Sequence, residues 1–260
     1  MTGLKSLLLR ALPEPLLFHA KRLHYPGVVR GFRPPHAAIL RALIGPGDRV
    51  MDVGANIGWY TRAFSELVGA TGRVLSVEPV PPTFALLSHC VRRLGLANVE
   101  LFNCALSDGP GSAVMEVPRY SGGGENFYMA RIIGGTTAAT ALRTFGVAVT
   151  SIDALLGDQR DRLAFVKCDV EGHELAVVRG AGVTLGRWKP GLLVEVGDDP
   201  DDPGSSAHAL ASELADLGYA AFWFDGHGLV RRQAGQRAVD YFFLTAEQVA
   251  RVRRVDVRVA

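Results

Sequence analysis

The stretch Met51–Thr61, MDVGANIGWYT, followed by SVEP at Ser76–Pro79, limits what this chain can fold into more than any other part of it. An apolar strand runs into a glycine-containing turn, the turn opens a helix, and an acid, Glu78, stands 20 positions beyond Gly58. That layout belongs to the first turn of a parallel α/β sheet, where a helix start faces a nucleotide-type ligand and the acid meets ribose hydroxyls. A dinucleotide fingerprint wants glycines at 54, 56 and 59, so that backbone can press on a pyrophosphate. Here Asn56 and Trp59 take two of those places.

The observed G-x-N-x-G therefore suits a cofactor that carries an adenosine and no phosphate. S-adenosylmethionine fits: its amino-acid end can use the turn amides and Asp52, while Glu78 takes the ribose. A nicotinamide cofactor is disfavoured by Asn56 and Trp59.

With 260 residues, 48% of them hydrophobic, the chain can bury a sizeable core, and one large α/β domain is favoured over two small ones. A net charge of +2 gives no argument for nucleic acid. Cys90, Cys104 and Cys168 lack metal-ligand spacing, and an odd number without a framework fits a reducing, cytoplasmic setting. The N-terminal LKSLLLRALPEPLLF is interrupted by Arg10, Pro13, Glu14 and Pro15, and falls short of the roughly 20 apolar residues of a membrane span. It reads as a helix packing on the domain or on a second copy in a homo-oligomer. Peripheral membrane contact through Leu8, Leu9, Leu16, Leu17 and Phe18 is the alternative.

Along the chain, periodicity predicts a helix over 36–44, a strand over 48–53, a helix over 59–68, a strand over 73–77, a helix over 83–95 and a strand over 99–105. This β-α-β-α-β order is that of a doubly wound parallel sheet. Regularity fails between Leu106 and Thr150, apart from a short strand over 113–117. The Gly122–Gly124 run with Phe127, Tyr128 and Met129 makes this segment a candidate lid. Order returns with a helix over 151–156, a strand over 163–170, a helix over 175–185 and a strand over 191–196. A helix over 208–217 then precedes strands over 220–224 and 240–245, read as a hairpin joined by DGHG and a polar stretch. Residues 1–47 thus form an N-terminal helical arm, and 48–260 a single domain with a lid-like insertion near 109–150.

The second strong signal is VKCDVEGHE, Val166–Glu174. A buried strand ends at Asp169 and a helix starts near Glu174, so acids and a histidine gather where open α/β sheets place their sites. Glu171 and Glu174 have a bland alternative role, favouring a helix N-terminus. His173 is a candidate base, or a solvated histidine. The D-x-E-x-H spacing contains donors for a divalent cation, but nothing elsewhere supports one, and no metal is expected.

DVGANIGWYT, SVEP, CALSD (Cys104–Asp108), VKCDVEGHE and LLVEV (Leu192–Val196), in this order, resemble the FkbM-type family of S-adenosylmethionine-dependent methyltransferases. The resemblance runs from about Arg49 to Leu244. It implies a class I methyltransferase fold: a Rossmann-like, doubly wound, mostly parallel seven-stranded sheet with an antiparallel C-terminal hairpin. Carried over by position, Asp52, Gly54, Asn56 and Gly58 match the cofactor loop and Glu78 the ribose acid. Ser107 and Asp108 match the adenine contact, and Asp169, Glu171 and His173 the catalytic face. Because the fourth strand of this fold lies beside the first, Asp52 and Asp169 should approach each other.

The expected reaction is O-methyl transfer to a hydroxyl of a sugar, glycolipid or secondary metabolite. His173 or Glu171 would be the base, and Asp169 would orient cofactor or substrate. The acceptor class comes from the resemblance alone. An N-methyltransferase, which needs no strong base, and a non-catalytic cofactor-binding scaffold are the rivals.

Overall fold

The computed structural model describes residues 14–117, 131–133, 143–158, 161–254 and 257–259. Helices α1 (Glu14–Gly31) and α2 (Ala37–Leu43) precede the alternation β1 (Arg49–Val53), α3 (Trp59–Val68), β2 (Arg73–Val77), α4 (Pro81–Leu94) and β3 (Val99–Phe102). Short strands β4 (Ala105–Leu106), β5 (Gly111–Val117), β6 (Arg131–Ile133) and β7 (Arg143–Thr150) follow, then α5 (Ile152–Leu156). The alternation resumes with β8 (Leu163–Cys168), α6 (Glu174–Arg179), α7 (Gly182–Trp188), β9 (Gly191–Glu195) and α8 (Ser206–Asp216). Last come β10 (Ala220–Phe224), β11 (Gly228–Arg231), β12 (Asp240–Leu244), α9 (Ala246–Arg253) and β13 (Arg258–Val259).

The main sheet has the order β13-β11-β10-β12-β9-β8-β1-β2-β3. Its strands β3, β2, β1, β8 and β9 are parallel, and β12 runs antiparallel between β9 and β10. β1 and β8 are buried at every position, because helices cover both faces; this is why they read as mostly apolar runs, broken only by Arg49, Asp52 and Lys167. The strand order reverses between β1 and β8, so their carboxyl ends open the crevice in which such sheets bind ligands.

Four differences from the sequence reading have local causes. The main sheet has nine strands where seven were expected. Strands β10 and β12 do pair, Ala220 with Leu244 through Phe222 with Phe242, but DGHG does not lead from one to the other. It turns β10 into β11, closed by Asp225 accepting from the amides of His227 and Gly228, and β13 adds to β11 at the edge. The strand expected over 99–105 breaks at Asn103, whose side-chain amide donates to the carbonyls of Glu78 and Pro79, and β4 leaves for a second sheet. The helix expected over 175–185 is two helices, parted where Gly180 presses on Ser107: a Cβ at 180 would lie 1.9 Å from the Ser107 carbonyl oxygen.

The fourth difference is the largest. Much of the segment without periodicity is the small sheet β4-β7-β5-β6, packed through Val80, Ala105, Met115, Val117 and Val147. The short strand expected over 113–117 is β5; β7, which buries only part of one face, carries a weak pattern and was not foreseen. The candidate lid residues Gly122–Gly124 and Phe127–Met129 lie outside the described residues, as do Leu8 and Leu9.

Within the arm, α1 lays Phe18, Tyr25 and Val29 on Ile57, Leu86 and Cys90. α2 shares a core with Val50, Phe64, Phe165 and Phe242, so residues 37–44 are integral to the sheet's packing. Among the described residues, no helix is long and apolar enough to cross a membrane.

Candidate active site

The turn after β1 is shaped by three left-handed residues, Gly54, Asn56 and Gly58. Gly54 has φ 73°, and a Cβ there would sit 1.8 Å from the Asp169 carbonyl oxygen, so the loops after β1 and β8 can touch only through a glycine. Asn56 has φ 51°, a conformation asparagine tolerates better than most residues. Its amide donates to Glu78 Oε2 at 3.0 Å, and the amide of Val80 donates to Oε1 at 2.9 Å. Glu78 is 5% exposed, and burial pushes its carboxyl up to about 7, against the pull of those two amides.

A cleft of about 600 Å³, counting its open mouth, runs from this turn to the loop after β8. Gly54, Asn56 and Glu78 line one end, and Asp169, Glu171 and His173 the other. Leu106, Met115 and Ile132 bring the small sheet in as an apolar wall. Volume and lining are those of a small-molecule site.

Asp52, Gly58, Ser107 and Asp108 do not line the cleft. Asp52 is fully buried beneath the turn, where the Thr61 hydroxyl donates to its Oδ2 at 2.6 Å. Gly58 ends the turn and caps α3. Ser107 Oγ donates to Asp108 Oδ1 at 3.1 Å and lies 2.9 Å from His173 Nε2. Serine here positions the histidine.

The expected approach of Asp52 and Asp169 is real and is mediated by Lys167. In the β1–β8 register Asp52 stands opposite Lys167, whose Nζ lies 2.9 Å from Asp169 Oδ2 and 4.0 Å from Asp52 Oδ1. The ammonium also sits 5.4 Å above the Tyr60 ring. Burial alone would pull Lys167 down, but Asp169 and Asp52 outweigh it and hold the ammonium above its ordinary value. Asp52 is pushed up, by burial first, with Lys167 and Thr61 opposing.

Two further acids stand beside Asp169. Glu195 closes β9, and Asp240 is its cross-strand partner on β12. Burial, then Asp169, Glu171 and Asp240, push Glu195 up to about 7, and its carboxyl shares a hydrogen bond with Asp169. Asp240 is raised by burial and by Asp169. Glu171, at φ 55°, is raised by burial, Asp169 and Glu174, and has no hydrogen-bond partner among the described residues. Glu174 has a structural job: its Oε1 accepts from the amides of Val170 and Gly172, closing the loop. No metal-binding cluster occurs among the described residues.

The sequence reading passed over Lys167, Glu195 and Asp240. The signal for Glu195 was present, since LLVE ends a buried strand in an acid just as LAFVKC runs into Asp169. Lys167 could have been found as a lysine inside an otherwise apolar strand.

A reversed strand order, a glycine turn over a buried acid and a cleft at the switch point define the class I methyltransferase fold. The chain belongs to the FkbM methyltransferase family: the Methyltransferase FkbM domain matches residues 52–221. Its methyl donor is S-adenosylmethionine, and the cleft suits it, with Gly54 and Asn56 of the turn at one end and the buried Glu78 carboxyl on the wall. The turn's own amides at Gly54, Ala55, Asn56 and Gly58 are taken up by Val77, Glu78 and Ala55, so they are not the donors the sequence reading expected.

Among curated proteins, it is similar to protein-L-isoaspartate O-methyltransferase 2 of Archaeoglobus fulgidus, 32% identical over 72 residues, covering 28% of this chain and 32% of that protein. It is also similar to protein-L-isoaspartate O-methyltransferase 1 of Arabidopsis thaliana, 42% identical over 53 residues, 19% of this chain and 23% of that one. The chain thus spans about a third or less of the length of these relatives. Of solved structures, methyltransferase FkbM from Methylobacillus flagellatus is 16% identical, with 84% of this chain and 50% of that one covered and a TM-score of 0.48. Aeropyrum pernix fibrillarin, solved with S-adenosyl-L-methionine, is 16% identical over 80% of this chain and 71% of its own, at a TM-score of 0.46.

Proposed function

We propose that this protein is an O-methyltransferase acting on a hydroxyl of a sugar, glycolipid or secondary metabolite, in the cytoplasm. The observation that carries the reading is Glu171: a carboxyl at the cleft, free of hydrogen-bond partners among the described residues and raised above the usual carboxylate range. An alcohol acceptor must lose a proton as its oxygen is methylated, and a carboxylate of raised affinity for protons is suited to take it.

Bound S-adenosylmethionine supplies an electrophilic methyl group. Glu78 would hold it, with Gly54 and Asn56 shaping the wall beside it and Asp169 at the seam between cofactor and acceptor. Lys167 fixes the Asp169 carboxylate, and Ser107 fixes the His173 ring, so both face the cleft in one arrangement. Glu171 accepts the hydroxyl proton, and His173 orients the acceptor or relays that proton outward. Alignment of acceptor oxygen and methyl carbon within about 3–3.5 Å supplies the rest of the acceleration.

Calorimetric titration with S-adenosylmethionine and S-adenosylhomocysteine, beside Glu78→Ala, tests the cofactor end. A screen of hydroxylated acceptors with wild type, Glu171→Gln and His173→Ala tests the other end. Glu171→Gln should keep cofactor affinity and lose turnover. Full rates in both variants would refute the base assignment. Turnover on amines alone would make the protein an N-methyltransferase, and cofactor binding without any turnover would point to a scaffold.

A further inference from the structure

Helices α1 and α4 lie against each other and share a composition that methyl transfer does not require. No Asp or Glu occurs between Pro15 and Arg33, or between Pro81 and Leu94, although the whole chain sets 26 acids against 28 Lys and Arg. Those two segments carry Lys21, Arg22, Arg30, Arg33, Arg92 and Arg93. Three of these cations, Arg22, Arg92 and Arg93, are gathered in space around His89. Arg22 reaches from α1 to His89 on α4, with Nε and Nη2 each 3.4 Å from Nδ1. Arg92 and Arg93 follow in the last turn of α4. His89 is held below the ordinary histidine value by burial and then by Arg22, Arg92 and Arg93.

Apolar groups stand on the same surface. α1 turns Phe18, Tyr25 and Val29 inward, which leaves Leu16 51% and Leu23 74% exposed. Seven residues apart, they lie on one face, about 10 Å from each other along the axis. Cations alone would suit any polyanion. Protruding leucines among them suit a surface that is anionic outside and hydrocarbon beneath.

We infer that the α1–α4 face docks this protein on an anionic lipid surface, with the arginines on the headgroups and Leu16 and Leu23 at the acyl boundary. Of the leucine-rich arm's apolar residues, Phe18 serves the fold and Leu16 and Leu23 serve the surface. The docking face adjoins the cofactor turn: α1 packs on Ile57, and Phe32 stacks on Trp59 at 5.7 Å between ring centres. The inference stands on this surface alone and holds whatever the acceptor is.

Vesicle flotation of the full-length protein tests it, using phosphatidylcholine with and without about one-third phosphatidylglycerol. Binding to the anionic vesicles should weaken at least about tenfold between roughly 50 and 500 mM salt. Arg92→Glu with Arg93→Glu should weaken it by about 20-fold or more, and Leu23→Asp by about tenfold. None of these residues lines the cleft, so cofactor affinity should stay at the wild-type value. Equal binding to neutral vesicles, undiminished binding in both variants, or retention of single-stranded RNA with no vesicle binding would each overturn the inference.

Discussion

The two ends of the cleft are built on opposite electrostatic plans. At the cofactor end, Glu78 is a single buried acid whose two oxygens each accept one backbone amide, and the turn that donates one of them is fixed by Gly54 and Asn56. At the other end, Asp169 and Glu171 line the cleft with Glu195 and Asp240 crowded behind them, and each member whose protonation is shifted is shifted upward, by burial first and then by its neighbours. The first end presents fixed partners to an unvarying molecule. The second stores proton affinity, which a reaction that releases a proton can use.

The comparison breaks most completely at the seam. Gly54→Ala drives a methyl into the Asp169 carbonyl and strains φ, so it should cost about 4 kcal/mol or more in denaturant unfolding and remove cofactor binding too. A stable, binding-competent variant would show that the loops need not touch. Lys167→Met comes next. It leaves Asp52 buried without its cation and should cost about 3 kcal/mol, provided Asp52 is ionised at the pH of the experiment. If stability is unchanged, Asp52 is already protonated.

Glu171→Gln should lower turnover about 100-fold with cofactor affinity intact. Since the Glu171 carboxyl is raised, wild-type turnover should climb with pH through a value above the usual glutamate range, and this limb should vanish in the variant. Glu78→Gln should weaken S-adenosylhomocysteine by about tenfold, the scale of one charge-assisted hydrogen bond. Its stability signature is separate. A carboxyl raised on folding stabilises the fold fully below pH 4.5, and that contribution is lost as pH rises to about 7. Up to about 3 kcal/mol of pH dependence across that window should disappear in Glu78→Gln. Smallest of all, Ser107→Ala frees the His173 ring and should reduce turnover by a few-fold, about 1 kcal/mol.

The cofactor end was legible in the sequence because its chemistry is local. Gly54, Asn56 and Glu78 fall in two short motifs, and backbone conformation at Gly54 and Asn56 dictates residue type. The acceptor end was half legible. Asp169, Glu171 and His173 share one loop, but Glu195 and Asp240 arrive from β9 and β12, and only strand pairing brings them there. The adenine contact at Ser107 and Asp108 rests on the family resemblance alone; what no motif announced is the hydrogen bond between Ser107 and His173, 66 residues apart. The small sheet was the hardest to foresee, because β7 buries one face only partly and carries Gly146 and Ala148 on the exposed one, which blurs the alternation.

That small sheet leaves and rejoins the chain at one spot. β4 and β7 pair directly, Ala105 with Val149 and Leu106 with Thr150, and the Ser107 amide adds a bond to the Thr150 carbonyl. Beside this clasp, the described strands β5 and β7 meet the rest of the domain through Val80, which packs on Met115, Val117 and Val147. Such a segment can be exchanged whole, as a tool head is changed on a fixed handle. On the proposed function, a chimera carrying another sequence between Ser107 and Thr150 should keep its affinity for S-adenosylhomocysteine, because Gly54, Asn56 and Glu78 lie outside the exchanged segment, and should alter the wall that Met115 and Ile132 give the cleft.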